Sequence, residues 1–229
     1  MNWIAISLAI LVVLLFYILY RFFLLKSTEM SASASLNATN PPITINKPGG
    51  LRYAYGIWIY VNSWDSTNEK TIFERESNIR LYLDANSPIL KCGITTGAAT
   101  DPVVPVTITD NFPLQKWVYI VISVDGQYID TYLDGKLVKS ARMVTTVSQV
   151  DYFPIVDSSK LMILGSANLW DAHVSKFTHW TEPIDPATVW SNYMSGNGQN
   201  NSLSNAVSSY GVDFTVLKDN VAQSNYRLF

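Results

Sequence analysis

Two Asp-Gly pairs, Asp125-Gly126 and Asp134-Gly135, interrupt the run "WVYIVISVDGQYIDTYLDGKLVKS". Glycine supplies the positive φ that a two-residue hairpin turn requires, so the run reads as three antiparallel strands. With each Asp-Gly as the turn, Ile120 faces Thr131 and then Val138, while Ile122 faces Ile129 and then Ser140. One face is largely aliphatic and belongs in a core. The other stacks Tyr119, Tyr132 and Leu137 and sets Asp130 beside Lys139. That tyrosine face either packs beneath a neighbouring loop or turns towards a ligand.

The same period of two recurs through the chain. In "LRYAYGIWIYVNSW" both alternating sets are apolar, which predicts a central strand covered on both faces. Shorter strands are expected over residues 71–75, 79–84, 89–94, 103–109, 160–165 and 173–181, with "DANSP" and "TTGAATDP" as turn material. Aromatic residues make up 13% of the chain and suit such pleated surfaces. One helix is predicted at "DPATVWSNYMSGNG", with Asp185 as N-cap, Pro186 at its first position and Gly196 as its stop. Val189, Tyr193 and Trp190 would form its docking face. The tail reads as two more strands around residues 218–220, completing a sheet or pairing with a partner.

The first 26 residues carry a different signal. No charge occurs from Asn2 to Tyr20, and this apolar stretch is longer than the core of a signal peptide, with no basic residue before it. A single-pass anchor is expected, with Trp3, Tyr17 and Tyr20 as interfacial aromatics and Arg21 and Lys26 as the flanking positive charges. Those charges favour a C-terminal domain on the cytosolic-type face. The glycosylation triplets at Asn37 and Asn200 would argue for the opposite face. The single cysteine, Cys92, excludes an intrachain disulfide and reads as a small buried hydrophobe. Residues 27–50, rich in Ser, Ala, Asn, Pro and Gly, read as a flexible linker. The layout is then an anchor over 1–26, a linker over 27–50 and a β domain over 51–229. Its core spans 51–196 and a C-terminal extension 197–229.

The stretch "FPLQKWVYIVISVDGQYIDTYLDGKLVKS", with the opening "YGIWIYVNSW", the later "LMILGS" and the short helix, resembles the concanavalin A-like, laminin-G-like jelly rolls. The resemblance implies an all-β sandwich of two antiparallel sheets with one short C-terminal helix, here preceded by a transmembrane helix. The whole layout also resembles membrane-anchored virion proteins, of minor capsid type, from large double-stranded DNA viruses. That likeness implies a structural protein linking an internal membrane to a protein shell. The alternative is a membrane-anchored, lectin-like carbohydrate-binding module.

Chemistry enters the sequence sparingly. Net charge is −2, and no Lys/Arg cluster offers a surface for nucleic acid. The glucanases of the resembled superfamily place their carboxylates on one strand as Glu-x-Asp-x-Glu. The nearest run here is "FERES", where Glu74 and Glu76 flank Arg75 without a central Asp, so no enzyme is expected. His173 and His179, six apart, would share a strand face, but nothing completes a zinc set. Calcium at a sheet rim would draw on Asp84, Asn86, Asp110 and Asn111, and no concentrated acidic loop is present. No cofactor is expected otherwise. For a glycan, Trp64 and Trp170, each beside an Asp near a strand end, are the stacking candidates, together with Tyr119, Tyr128 and Tyr132.

Overall fold

The computed structural model describes residues 3–24, 27–45, 50–96, 103–144, 154, 161–198, 213–218 and 221–227. In chain order the elements are helix α1 (Trp3–Leu24), then strands β1 (Ser27–Ser35), β2 (Ile43–Thr44), β3 (Arg52–Val61), β4 (Lys70–Arg75), β5 (Ile79–Leu83), β6 (Leu90–Thr95) and β7 (Val103–Thr109). They continue with β8 (Trp117–Asp125), β9 (Tyr128–Leu133), β10 (Lys136–Arg142), β11 (Leu161–Leu164), β12 (Ala172–Trp180), helix α2 (Pro186–Met194), β13 (Asp213–Lys218) and β14 (Val221–Arg227).

Ten of these strands fall where the alternation predicts them. With β1 and β2 they form two six-stranded antiparallel sheets, ordered β1-β12-β3-β8-β9-β10 and β2-β11-β4-β5-β6-β7. The main core lies between the sheets. Tyr53, Tyr55, Ile57, Ile59 and Val61 of β3 enter it from one side, and Phe73, Leu81, Cys92 and Ile94 from the other. Burial pushes the Cys92 thiol up to about 12, so it stays a protonated, inert core group. A second, smaller cluster lies on the outer face of the first sheet. Ala54, Trp58, Tyr119, Val121 and Tyr132 are covered there by Ile184 and by Val189 of α2. The central strand β3 is therefore apolar on both faces, one under the other sheet and one under a helix.

The linker expected over residues 27–50 is corrected by β1, an edge strand that pairs with β12 from Ser27↔Trp180 to Ser35↔His173. Ser and Ala dominate it because an edge strand has little to cover. Met30 and Ala34 still reach the core, and Leu36 and Ile45 are buried in it. The expected hairpin register is corrected as well. The first turn places Asp125 opposite Tyr128 and Ile120 opposite Leu133. The second keeps Asp134-Gly135 as its two-residue loop, with φ of 47° and 79°. A bulge between Leu137 and Lys139 then sets Asp130 opposite Ser140. The first slip is two residues, so every side chain keeps its face. The tail strands form a separate two-stranded sheet and join neither larger one.

Among the described residues no helix is long and apolar enough to cross a membrane. Of α1, however, the side chains described are Leu8 and residues 10–19 alone, whereas its backbone spans 22 residues. Tyr17 is exposed there; the side chains of Trp3, Tyr20, Arg21 and Lys26, like the Asn200 triplet, lie outside the described residues.

Candidate functional site

A cavity of about 710 Å³ opens on the outer face of the first sheet, between the β1–β12 edge and α2. Its aromatic walls are Trp58, Tyr119 and Trp180, and its polar groups come from Glu29, Glu182, Asp185 and Asn192. Each element arrives there for a local reason. After Trp180 the chain leaves β12, and the Ile184 N–H donates to Ser123 Oγ of β8 (3.1 Å). Asp185 then caps α2, accepting from the Thr188 N–H (3.0 Å) and the Thr188 hydroxyl (2.6 Å). These bonds hold the Asp185 carboxyl below the usual carboxylate range.

The far end of α2 is held by a bulge in β12. Lys176 adopts φ 46°, and the register with β3 skips between Ser175 and Thr178. Its Nζ donates to Gly196 O (2.7 Å) and lies 3.5 Å from Ser195 O, placing a cation at the helix C-terminus. Ser175 Oγ lies 2.6 Å from Asn197 O and 2.9 Å from Ala32 O of β1. Both ends of α2 are thus tied to the sheet, and the space between stays open.

The floor depends on Gly56. A Cβ there would stand 2.8 Å from Trp180 Cη2 and Cζ3 and 2.8 Å from Tyr119 Oη. Tyr119 stacks on Trp58 (centroids 5.1 Å), which stacks in turn on Tyr193 of α2 (5.6 Å). Burial pushes the Tyr119 phenol up, so it stays protonated, and Asn192 reaches its hydroxyl. The second Asp-Gly turn serves the same assembly. Asp134 Oδ1 accepts the Tyr119 N–H (3.0 Å), and a Cβ on Gly135 would strike Trp190 Cε3 at 2.6 Å.

Of the five aromatic residues predicted from sequence, Tyr119 lines the cavity and Tyr132 is buried in the cluster beneath α2. Tyr128 is half exposed at the first hairpin. Trp170 is core, with its Nε1–H donating to Thr71 O (3.0 Å). Trp64 packs on the core, with Lys70 Nζ 4.4 Å from its ring centre. Trp64 follows β3 at Val61, and Trp170 precedes β12 at Ala172, which pairs with Val61. The cavity's Trp180 pairs with Ala54, about 23 Å away along the strand. Trp58 and Trp180 were not singled out from sequence. For Trp180 the available signal was an aromatic at a strand end five residues before a helix cap.

The remaining candidates disperse. Glu74 faces Arg80 (3.9 Å), whereas Glu76 lies in the turn after β4. His173 is exposed, but His179 is buried against Tyr55 (4.9 Å), because the Lys176 bulge reverses the alternation between them. The shared histidine face expected from sequence is thereby corrected. Asp84 pairs with Lys91 and accepts the Asn86 N–H (3.2 Å), while Thr109 caps Asn111, as turn formers do. Among the described residues no group of three His, Cys, Asp or Glu side chains is placed to hold a metal ion.

Two facing sheets with a helix laid on one outer face define a two-sheet jelly roll with a clefted outer surface. The chain belongs to the concanavalin A-like lectin/glucanase superfamily: the family model of that description, a laminin G type, matches residues 31–197. That match begins inside β1, in accord with the strand found there. No curated protein matches the sequence. Similar solved structures include the ligand-binding domain of botulinum neurotoxin serotype D in complex with N-acetylneuraminic acid. It has 14% identity and a TM-score of 0.54, over 72% of this chain and 42% of that one. The receptor-binding domain of the C/D mosaic neurotoxin gives 15%, 0.53, 68% and 40%. The likeness shows the fold, and it spans about two-fifths of those chains.

Proposed function

We propose that this chain is a non-enzymatic binding module, anchored to a bilayer by α1, whose cavity beside α2 holds a neutral glycan. The cavity carries the reading. Its volume lies within the ~300–1,000 Å³ typical of small-molecule sites, and it combines aromatic walls with a few placed polar groups. Among the described residues the carboxylates Glu29 and Asp185 line it, and the cation there, Lys176, is engaged with the carbonyls closing α2. That balance opposes a carboxylate- or phosphate-bearing ligand and suits hydroxyl groups, which donate to carboxylates. Retaining glycosidases need two carboxyl groups ~5–5.5 Å apart flanking the scissile bond. Glu74, engaged with Arg80, and Glu76, in the following turn, are not such a pair, and in the cavity Asp185 is engaged by Thr188 as the cap of α2.

The anchor is supported by residues 10–19, ten consecutive apolar side chains exposed around the whole circumference of α1. A helix apolar on every side belongs in a large core or a membrane. Its 22 residues would extend about 33 Å, against a ~30 Å hydrocarbon layer.

The test is a panel of neutral and sialylated glycans offered to the full chain in detergent. Binding of a neutral glycan that is lost in Trp180→Ala, with folding retained, is the expected result. Binding confined to sialylated glycans, or unchanged in Trp180→Ala, overturns the reading.

A second reading keeps the anchor and replaces the glycan with a protein shell, as in the membrane-anchored virion proteins whose layout this chain resembles. Arg21 and Lys26 favour it, since positive charges flanking a span tend to lie on the cytosolic-type face. Protease accessibility of the full chain in microsomes, with Asn37 unglycosylated, is its expected outcome. A protected and glycosylated domain removes it.

A further inference from the structure

We propose that the cavity receives its sugar from the same membrane that holds the chain, as the neutral headgroup of a glycolipid beside α1. This rests on the reading of the cavity as a glycan site and of α1 as an anchor. The reason is covalent and independent of any angle between helix and sandwich. Helix α1 ends at Leu24 and β1 begins at Ser27. Three Cα–Cα steps of 3.8 Å allow at most about 11 Å between those residues. Ser27 and Glu29 themselves line the cavity, and Ser27 lies opposite Trp180, its outer aromatic wall.

A bilayer of ~30 Å hydrocarbon and ~40–45 Å total thickness leaves a headgroup layer of roughly 5–8 Å on each side. The near end of the cavity therefore stands at, or within a few ångströms of, the headgroups. Had residues 27–50 been a tether, the site would have ranged far above the surface. As an edge strand, β1 removes that freedom. The half-buried Trp180 at the mouth is the residue type that favours such an interface, with an apolar body and one polar atom. Confinement to one surface also raises the effective concentration of a lipid-borne sugar without any added contact. The carboxylates of Glu29 and Asp185 select among headgroups, disfavouring phosphate and sialyl groups and leaving uncharged glycosyl groups.

The test uses the full chain in phosphatidylcholine nanodiscs. Cys92 is completely buried, so a cysteine introduced at exposed Thr28 or exposed His173 takes a fluorophore alone. His173 pairs with Ser35, eight residues along β1 from Ser27 and about 26 Å away. Lipids with nitroxide headgroups are expected to quench the Thr28→Cys label several-fold more than the His173→Cys label. Equal quenching overturns the proposal. In the second arm, photoactivatable glucosyl and galactosyl lipids in the disc are expected to cross-link to the parent chain and to lose most cross-linking in Trp180→Ala. Binding of free glucosides or galactosides without lipid cross-linking overturns the membrane source and leaves the glycan reading intact. Failure of both free and lipid-borne sugars, with Thr28→Cys still quenched, overturns the glycan reading and the proposal together.

Discussion

Replacing Gly56 by Ala tests whether the cavity floor is built by the absence of one methyl group. Gly56 sits mid-strand in β3, opposite Val121 of β8 and Thr178 of β12, so the backbone cannot move without disturbing two ladders. The added Cβ meets two ring carbons of Trp180 and the Tyr119 hydroxyl oxygen at 2.8 Å, where carbon–carbon contacts are optimal at about 3.5–4.0 Å. Each ring must therefore retreat by roughly 1 Å. Tyr119 has nowhere to go, being buried and stacked through Trp58 onto α2. Trp180, half exposed, swings instead and distorts the cavity wall. Overpacking of this kind costs about 1–3 kcal/mol, offset by roughly 0.5–1 kcal/mol because alanine is less flexible than glycine when unfolded. The expected net loss is about 1–2 kcal/mol, read as a lower denaturant midpoint for the full chain in detergent. Neutral-glycan affinity falls about tenfold if the lost wall contact is worth ~1.4 kcal/mol. In a Trp180→Ala, Tyr119→Phe background the clashing atoms are gone, so Gly56→Ala should then cost nearly nothing. Equal destabilisation in both backgrounds refutes the argument.

Three other outcomes follow from the same geometry. Burial, and then the charge of Arg75, hold the His179 imidazole at about 4, against 6.5 for the free group. The unfolded chain takes that proton first, so this stability is complete above about pH 6.5 and is lost as pH falls towards 4, by roughly 3 kcal/mol at most. His179→Gln should flatten that part of the urea-midpoint profile, and an unchanged slope contradicts it. Trp170→Ala removes a core ring and the hydrogen bond to Thr71, so a loss of about 3–5 kcal/mol is expected; a folded variant defective only in binding would contradict its core placement. Asp185→Ala deletes the α2 cap and should cost ~1 kcal/mol by thermal unfolding, with no change in Tm as the opposing result.

Much of the fold was legible because alternation reports faces directly. The register of the first hairpin differs by two residues from the one its Asp-Gly turn predicts, yet Ile120 and Ile122 lie in the core and Tyr119 and Tyr132 on the outer face, since an even slip preserves sidedness. The α2 boundaries were legible because capping is local chemistry: Asp185, Pro186 and Gly196 do their work within a turn of themselves. Strand β1 was not. A Ser/Ala edge strand has the composition of a linker, and its identity lies in its partner β12, over a hundred residues away. The cavity was illegible for the same reason, since Glu29, Gly56, Tyr119, Trp180 and Asn192 meet only when the topology brings them together.

The bulge at Lys176 joins these observations. Lysine at positive φ announces nothing in a sequence, so six-residue spacing placed His173 and His179 on one face. The extra residue turns His179 into the core beside Tyr55, and the same distortion sends Lys176 Nζ to the carbonyls that end α2. A straight β12 would leave α2 unfastened at its far end and would turn Trp180 towards the core, away from Gly56. One irregular residue thus determines that Trp180 faces the cavity and not the core, whereas Trp64 and Trp170 are kept from it by lying at the opposite strand end.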